Sequence, residues 1–152
     1  MAITTAEART QIVGDLGVAA DQIALAVACL GAAHELLDDL TADRLEADLF
    51  RPVQRALGRA KRTRAAFAGR HALTAPDGAQ PSPGAPSQGV KSFVERAVVA
   101  ATQGSRMIAE LQDSMLPIEF GDAELRSGLS ETRELVDTLP RAARDFLRTL
   151  GR

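Results

Sequence analysis

The stretch IVGDLGVAADQIALAVACLGAAHELL, Ile12 to Leu37, carries the pattern on which the fold turns. Ile12, Leu16, Ala19, Ile23, Ala26, Leu30, Ala33 and Leu37 follow one another at alternating steps of four and three. Such spacing keeps one face of an α-helix apolar and matches the 3.5-residue repeat of packed helices. A half-buried strand would instead alternate every second residue. Leu25, Val27 and Cys29 widen the stripe in its middle, so the helix is expected to be touched on more than one side. Upstream, Thr4 stands three residues before Glu7, the spacing of a capping box, and is expected to start the helix.

Three further segments repeat the spacing. Leu45, Leu49, Val53, Ala56, Ala60, Thr63 and Phe67 form the second, with Pro52 inside it. A proline within an unbroken helix costs ~3 kcal/mol, so the pattern predicts a short helix over 41–50 and a kink or restart at Arg51-Pro52. The third, from about 88 to 116, runs through Val90, Val94, Ala97, Ala101, Gly104, Ile108, Leu111 and Met115, with Pro117 expected to end it. The fourth, about 121 to 150, runs through Leu125, Leu129, Thr132, Val136, Leu139, Ala143, Phe146 and Leu150. Pro140 interrupts it, and Thr138 is expected to act as a local cap. Between the second and third lies HALTAPDGAQPSPGAPSQG, residues 71 to 89, with four prolines and three glycines. That composition favours extended chain, and its length exceeds the usual two to eight residues between bundle helices. It either crosses over the helices or joins two separable halves. The expected fold is all-α: one domain over 1–152, built as a four-helix bundle. Its parts are a helical hairpin at 4–70, a flexible loop at 71–89 and a second antiparallel hairpin at 90–151.

Composition agrees with this class. A chain of 152 residues with 45% hydrophobic content can bury a core. Alanine and leucine supply much of that content, and both favour helix. The aromatics are five Phe, with no Trp and no Tyr, which is poor for a base-stacking surface or an aromatic-anchored interface. The absent Trp also removes the Trp-x-Gly turn of the small helical WXG100-type secretion partners, so nothing is carried over from them. A net charge of −2 gives no overall field to recruit nucleic acid or anionic lipid. The single cysteine excludes an intramolecular disulfide framework, and a cytoplasmic location with no membrane span is expected. The longest apolar run, residues 23 to 33, would reach roughly 16 Å as a helix, about half a bilayer core.

Three features compete for function. His34-Glu35-Leu36-Leu37-Asp38 resembles the zinc-protease pattern with its second histidine replaced by aspartate. On one continuous helix His34 and Asp38 would lie four apart and either share an ion or pair with each other, but two ligands fall short of the three or four that zinc needs. His34, Asp38 and Glu35 therefore stand as weak metal candidates, and no cofactor is expected. Cys29 sits in the most apolar run and reads as a small buried hydrophobe. The third feature is charge segregation. Residues 51 to 70 hold seven basic side chains and no acid, after six acids between Glu35 and Asp48. Arg51, Arg55, Arg59 and Arg62 make a stripe at steps of four, four and three. They form either a docking surface or a solvated face paired with Glu131, Glu134 and Asp137. The expected function is non-catalytic: protein–protein contact or self-association as a scaffold, adaptor or self-assembling subunit. Nucleic-acid or phosphate binding by the arginine stripe is the alternative, and a metal-dependent enzyme at His34 and Asp38 the third.

Overall fold

The computed structural model describes residues 2–78 and 80–150. The expected second hairpin's last residue, 151, lies outside them, as does position 79 of the loop. Of the described residues, 82% are helical and none is in a strand. The α-helices are α1 (Thr5–Glu35), α2 (Asp39–Leu45), α3 (Arg51–Arg70), α4 (Gly89–Asp113), α5 (Leu116–Glu119), α6 (Ala123–Val136) and α7 (Leu139–Leu150). A five-residue π-turn, Glu46–Phe50, joins α2 to α3, and a 3-10 turn, Pro86–Gln88, precedes α4.

α1 begins as its sequence requires. The Thr4 hydroxyl accepts from the Glu7 N–H at 3.1 Å, and the Glu7 carboxylate accepts from the Thr4 N–H at 2.9 Å. Ile12, Leu16, Ala19, Ile23, Ala26, Cys29, Leu30 and Ala33 are all buried, and Leu37 packs at the edge of the same core. α1 is long and apolar enough to cross a membrane by length and composition, with a mean hydropathy of 1.8 over its best window. The eleven-residue run at 23–33 understated this, because small residues extend the apolar window beyond it. In this fold that apolar surface packs chiefly against α4 and next against α3.

Pro52 is accommodated without the expected restart. The backbone stays helical through Phe50 and Arg51, and the Arg51 N–H bonds back five residues to the Glu46 carbonyl. In a regular α-helix the proline ring would press on the carbonyl of Asp48. The wider π-turn takes up the strain before Pro52, whose missing N–H falls where the bonding changes from the five-residue to the four-residue pattern.

The third and fourth segments end differently from expectation. α4 stops at Asp113, ahead of Pro117. Met115 is left-handed with φ 67° and half-exposed, so it is not part of the buried face. Pro117 lies instead in the new short helix α5. The fourth segment breaks into α6 and α7 at Asp137-Thr138. Thr138 stands at the N-cap position of α7, its carbonyl accepting from the Ala142 N–H at 3.3 Å, while its hydroxyl donates back to the Leu135 carbonyl at 2.8 Å and serves the end of α6.

Pairing across the loop dominates the packing: α1 lies chiefly against α4, and α3 chiefly against α6. Both pairs run antiparallel. A Cβ on Gly104 of α4 would stand 3.0 Å from Ile23 and 3.2 Å from the Ala19 carbonyl oxygen, and farther along α4 Met107 and Leu111 lie beside the earlier Val18 and Asp15. Along α3 and α6, Arg70 meets Asp122, Thr63 meets Gly128 and Arg59 meets Glu131. α1 is antiparallel to α3 as well, since Arg64 bonds Val13 while Leu57 lies near Val27 and Ala28. Hence α3 and α4 point the same way. The chain between them must return along the length of α4, roughly 37 Å for 25 residues. A connection of fifteen residues, 71 to 85, can reach at most about 50 Å. The length of the connection is therefore a requirement of topology.

That connection runs in the groove between α1 and α3. Arg64 donates to the Val13 carbonyl and to the Pro76 carbonyl, both at 2.8 Å, with its guanidinium over Gly17. Farther on, Gly78 lies against the Asp21 carboxylate, and Arg96 donates to the Pro83 carbonyl and to Gln88.

Candidate partner-binding surface

The arginine stripe lies on the outer side of α3, opposite the buried Val53, Ala56, Ala60 and Thr63. Its four members differ in their surroundings. Arg51 stands 3.9 Å from Glu46, with the arginine side chain largely in solvent and the glutamate half-buried. Arg59 is half-buried and pairs with Glu131 of α6 at 2.5 Å. This pairing holds the Glu131 carboxyl below the usual range, through the hydrogen bond and charge of Arg59. Arg55 and Arg62 are exposed and make no ion pair among the described residues. Arg62 folds back over Gly58, where a Cβ would come within 3.0 Å of its guanidinium. The expected acidic partners on α6 are thus only partly realised. Glu131 is used, Asp137 accepts from the Ser105 hydroxyl at 2.6 Å, and Glu134 is exposed.

Arg55, Arg59 and Arg62 line an open groove of about 420 Å³ between α3 and α6, with Gln54, Gly58, Glu131 and Leu135. Arg55 and Leu135 also line a second hollow of about 520 Å³, toward α7. Its apolar lining comes from Ala47, Pro52, Ala142 and Phe146. Its basic rim is Arg44, whose guanidinium bonds the Thr149 hydroxyl at 2.7 Å and lies 6.0 Å over the Phe146 ring. Sequence reading missed Arg44, Leu135 and Phe146 as part of this surface. Arg44 lies about 90 to 100 positions from the other two, the three stand on three different elements, and no local spacing links them.

At the other end of α3 the charges are fully committed. Arg70 forms a two-pronged pair with Asp122 at 2.8 Å and reaches Glu124 at 2.9 Å. His71 approaches the same carboxylate at 3.3 Å, and Asp122 also accepts from the Leu125 N–H as the N-cap of α6. Partial burial pushes the Asp122 carboxyl up. The hydrogen bonds from Arg70, Leu125 and His71 outweigh it and bring the pKa down to about 2.

His34 and Asp38 do not share a helix face. α1 ends at Glu35, and Asp38 is the N-cap of α2, its carboxylate accepting from the Thr41 N–H at 2.9 Å. That bond lowers the Asp38 carboxyl and defines its role. The four-residue spacing of one continuous helix is lost in the turn at 36–38, and with it both the shared-ion geometry and the side-chain pair. Among the described residues no three His, Cys, Asp or Glu side chains converge to hold a metal. Cys29 is fully buried on α1, and burial pushes its thiol up. No protein family, curated protein or solved structure matches the chain.

Proposed function

We propose that the protein is a four-helix bundle of α1, α3, α4 and the α6–α7 pair, with the apolar stripes as its seams, acting as one unit in the cytoplasm. It works without catalysis, through protein–protein contact, as a scaffold, adaptor or self-assembling subunit. The binding surface is the outer face of α3, centred on Arg51, Arg55, Arg59 and Arg62. One observation carries this assignment: Arg55 and Arg62 are exposed with no ion-pair partner among the described residues, Arg55 beside an apolar hollow and Arg62 along the adjoining groove. Guanidinium groups placed beside apolar surface favour a partner offering both carboxylates and apolar side chains.

The test is an Arg55→Glu/Arg62→Glu variant. It should keep the helical circular-dichroism signal and lose the partner that co-purifies with the unaltered chain from its native cell. Retained binding would remove the stripe from the surface. Salt separates the alternative in which the stripe holds a nucleic-acid or phosphate backbone, because such binding weakens steeply with ionic strength. Interleaved Glu131 and the absence of Trp and Tyr count against that alternative.

A further inference from the structure

The turn between α1 and α2 exposes what a folded core would normally bury. Leu40 is 76% exposed and Leu36 45% exposed, on either side of the Asp38 cap. Around them Glu35, Asp39 and Asp43 are exposed, and none makes an ion pair among the described residues. This corner is apolar with an acidic border. The groove at α3, α6 and α7 is the complement, an apolar floor of Pro52, Leu135 and Phe146 with Arg44, Arg55 and Arg62 at its rim. Two acids in the hollow are accounted for differently. Asp145 pairs with Arg148, while Asp48 makes no ion pair among the described residues and lowers the positive charge by one. The hollow's volume of about 520 Å³ leaves room for a leucine side chain or two.

We propose that the chain self-associates by seating the Leu36–Leu40 corner of one copy in the α3–α7 groove of another. This rests on the proposed function above and names the partner as a second copy. The opposed charges favour the encounter and set the orientation, and the leucines supply the apolar burial. Corner and groove are different surfaces of the same chain, so each copy carries one of each. Two copies can exchange both contacts and close as a dimer, or exchange one and extend.

Sedimentation velocity on the full chain tests this, with two variants whose fold is checked by circular dichroism. Leu36→Ser/Leu40→Ser removes the corner's apolar anchor, and Arg55→Glu/Arg62→Glu inverts the groove's rim. The unaltered chain should gain mass as concentration rises through the micromolar range. Each variant alone should bind itself at least about tenfold more weakly. An equimolar mixture should form a heterodimer, because one variant keeps an intact groove and the other an intact corner. A monomeric unaltered chain, association indifferent to either variant, or a mixture that stays monomeric overturns the inference. If the chain is monomeric yet the groove variant loses a different partner, self-association fails while the assigned surface stands. If the groove variant affects neither, both fail.

Discussion

At the scale of single residues, two glycines separate propensity from packing. Gly31 of α1 faces open space, whereas a Cβ on Gly128 of α6 would lie 2.1 Å from the Thr63 hydroxyl oxygen and 2.8 Å from its Cβ. Alanine is favoured over glycine inside a helix by roughly 1 kcal/mol. Gly31→Ala is therefore expected to raise the melting temperature. Gly128→Ala is expected to lower it, because the displaced contact includes a Cβ that cannot rotate away. Gly104→Leu should cost about 1–3 kcal/mol by overpacking against Ile23 and Ala19. Chemical denaturation of the three variants checks all these signs. Asp122 gives the pH counterpart. Its pKa falls from 3.8 to about 2 on folding, so its stabilisation is present above the first value and lost as pH falls through the second. Asp122→Asn should cost on the order of 1–2 kcal/mol at neutral pH, allowing for solvent screening, and flatten the loss of stability in that acid window. Much of this scale is legible in the sequence. The stripe from Ile12 to Ala33 is buried as its spacing implies, because helix geometry alone determines which side chains share a face. Asp38 was not legible as a cap, since nothing between Glu35 and Asp38 breaks a helix and the apolar phase runs on through Leu37.

At the scale of elements, the ends and joints were harder to read than the faces. Prolines 52, 117 and 140 all lie near element starts, but each junction is solved differently, by a π-turn, a left-handed Met115 and a two-residue break. The outcome at each depends on what the flanking faces pack against, and a local pattern does not carry that information. The same holds for the end of α3, where Ala72 is left-handed with φ 54° and the Leu73 N–H bonds the Ala68 carbonyl at 2.8 Å. Glycine ordinarily fills that position. The crossing segment beyond it hangs on few side chains, and Arg64 ties it to α1 by donating to the Pro76 carbonyl of the segment and to the Val13 carbonyl of the helix. Arg64→Met keeps the apolar stem and removes both bonds. It should speed proteolytic cleavage within residues 74–85 severalfold while leaving total helicity unchanged. An unaltered cleavage rate would show that the segment is held by its own packing of Leu73 and Ala75.

At the scale of the whole molecule, periodicity specifies which face of each helix is buried but leaves open which helix covers it. Four similar stripes allow the hairpins 4–70 and 90–151 to close on themselves or to pair with each other. The discriminating marks are small. Gly104 and Gly128 permit axes to approach only where Ala19–Ile23 and Thr63 stand opposite, and Arg70 and Asp122 fix the register at one end. These contacts all cross the loop, so the same buried cluster draws on α1, α3, α4, α6 and α7. Continuity of the chain through 71–85 is then needed for the topology but not for holding the core together once formed. A single cut in that segment should leave the two fragments co-eluting in native buffer, with the circular-dichroism spectrum of the intact chain and a lowered melting temperature. The lowering follows because the two pieces gain translational freedom on unfolding, which makes the midpoint rise more steeply with protein concentration than that of the uncut chain, whose halves stay joined. Fragments that separate at micromolar concentration and each keep their helicity would mean that α1 with α3, and α4 with α6, bury enough surface alone. In that case the pairs α1–α4 and α3–α6 would not be what holds the fold.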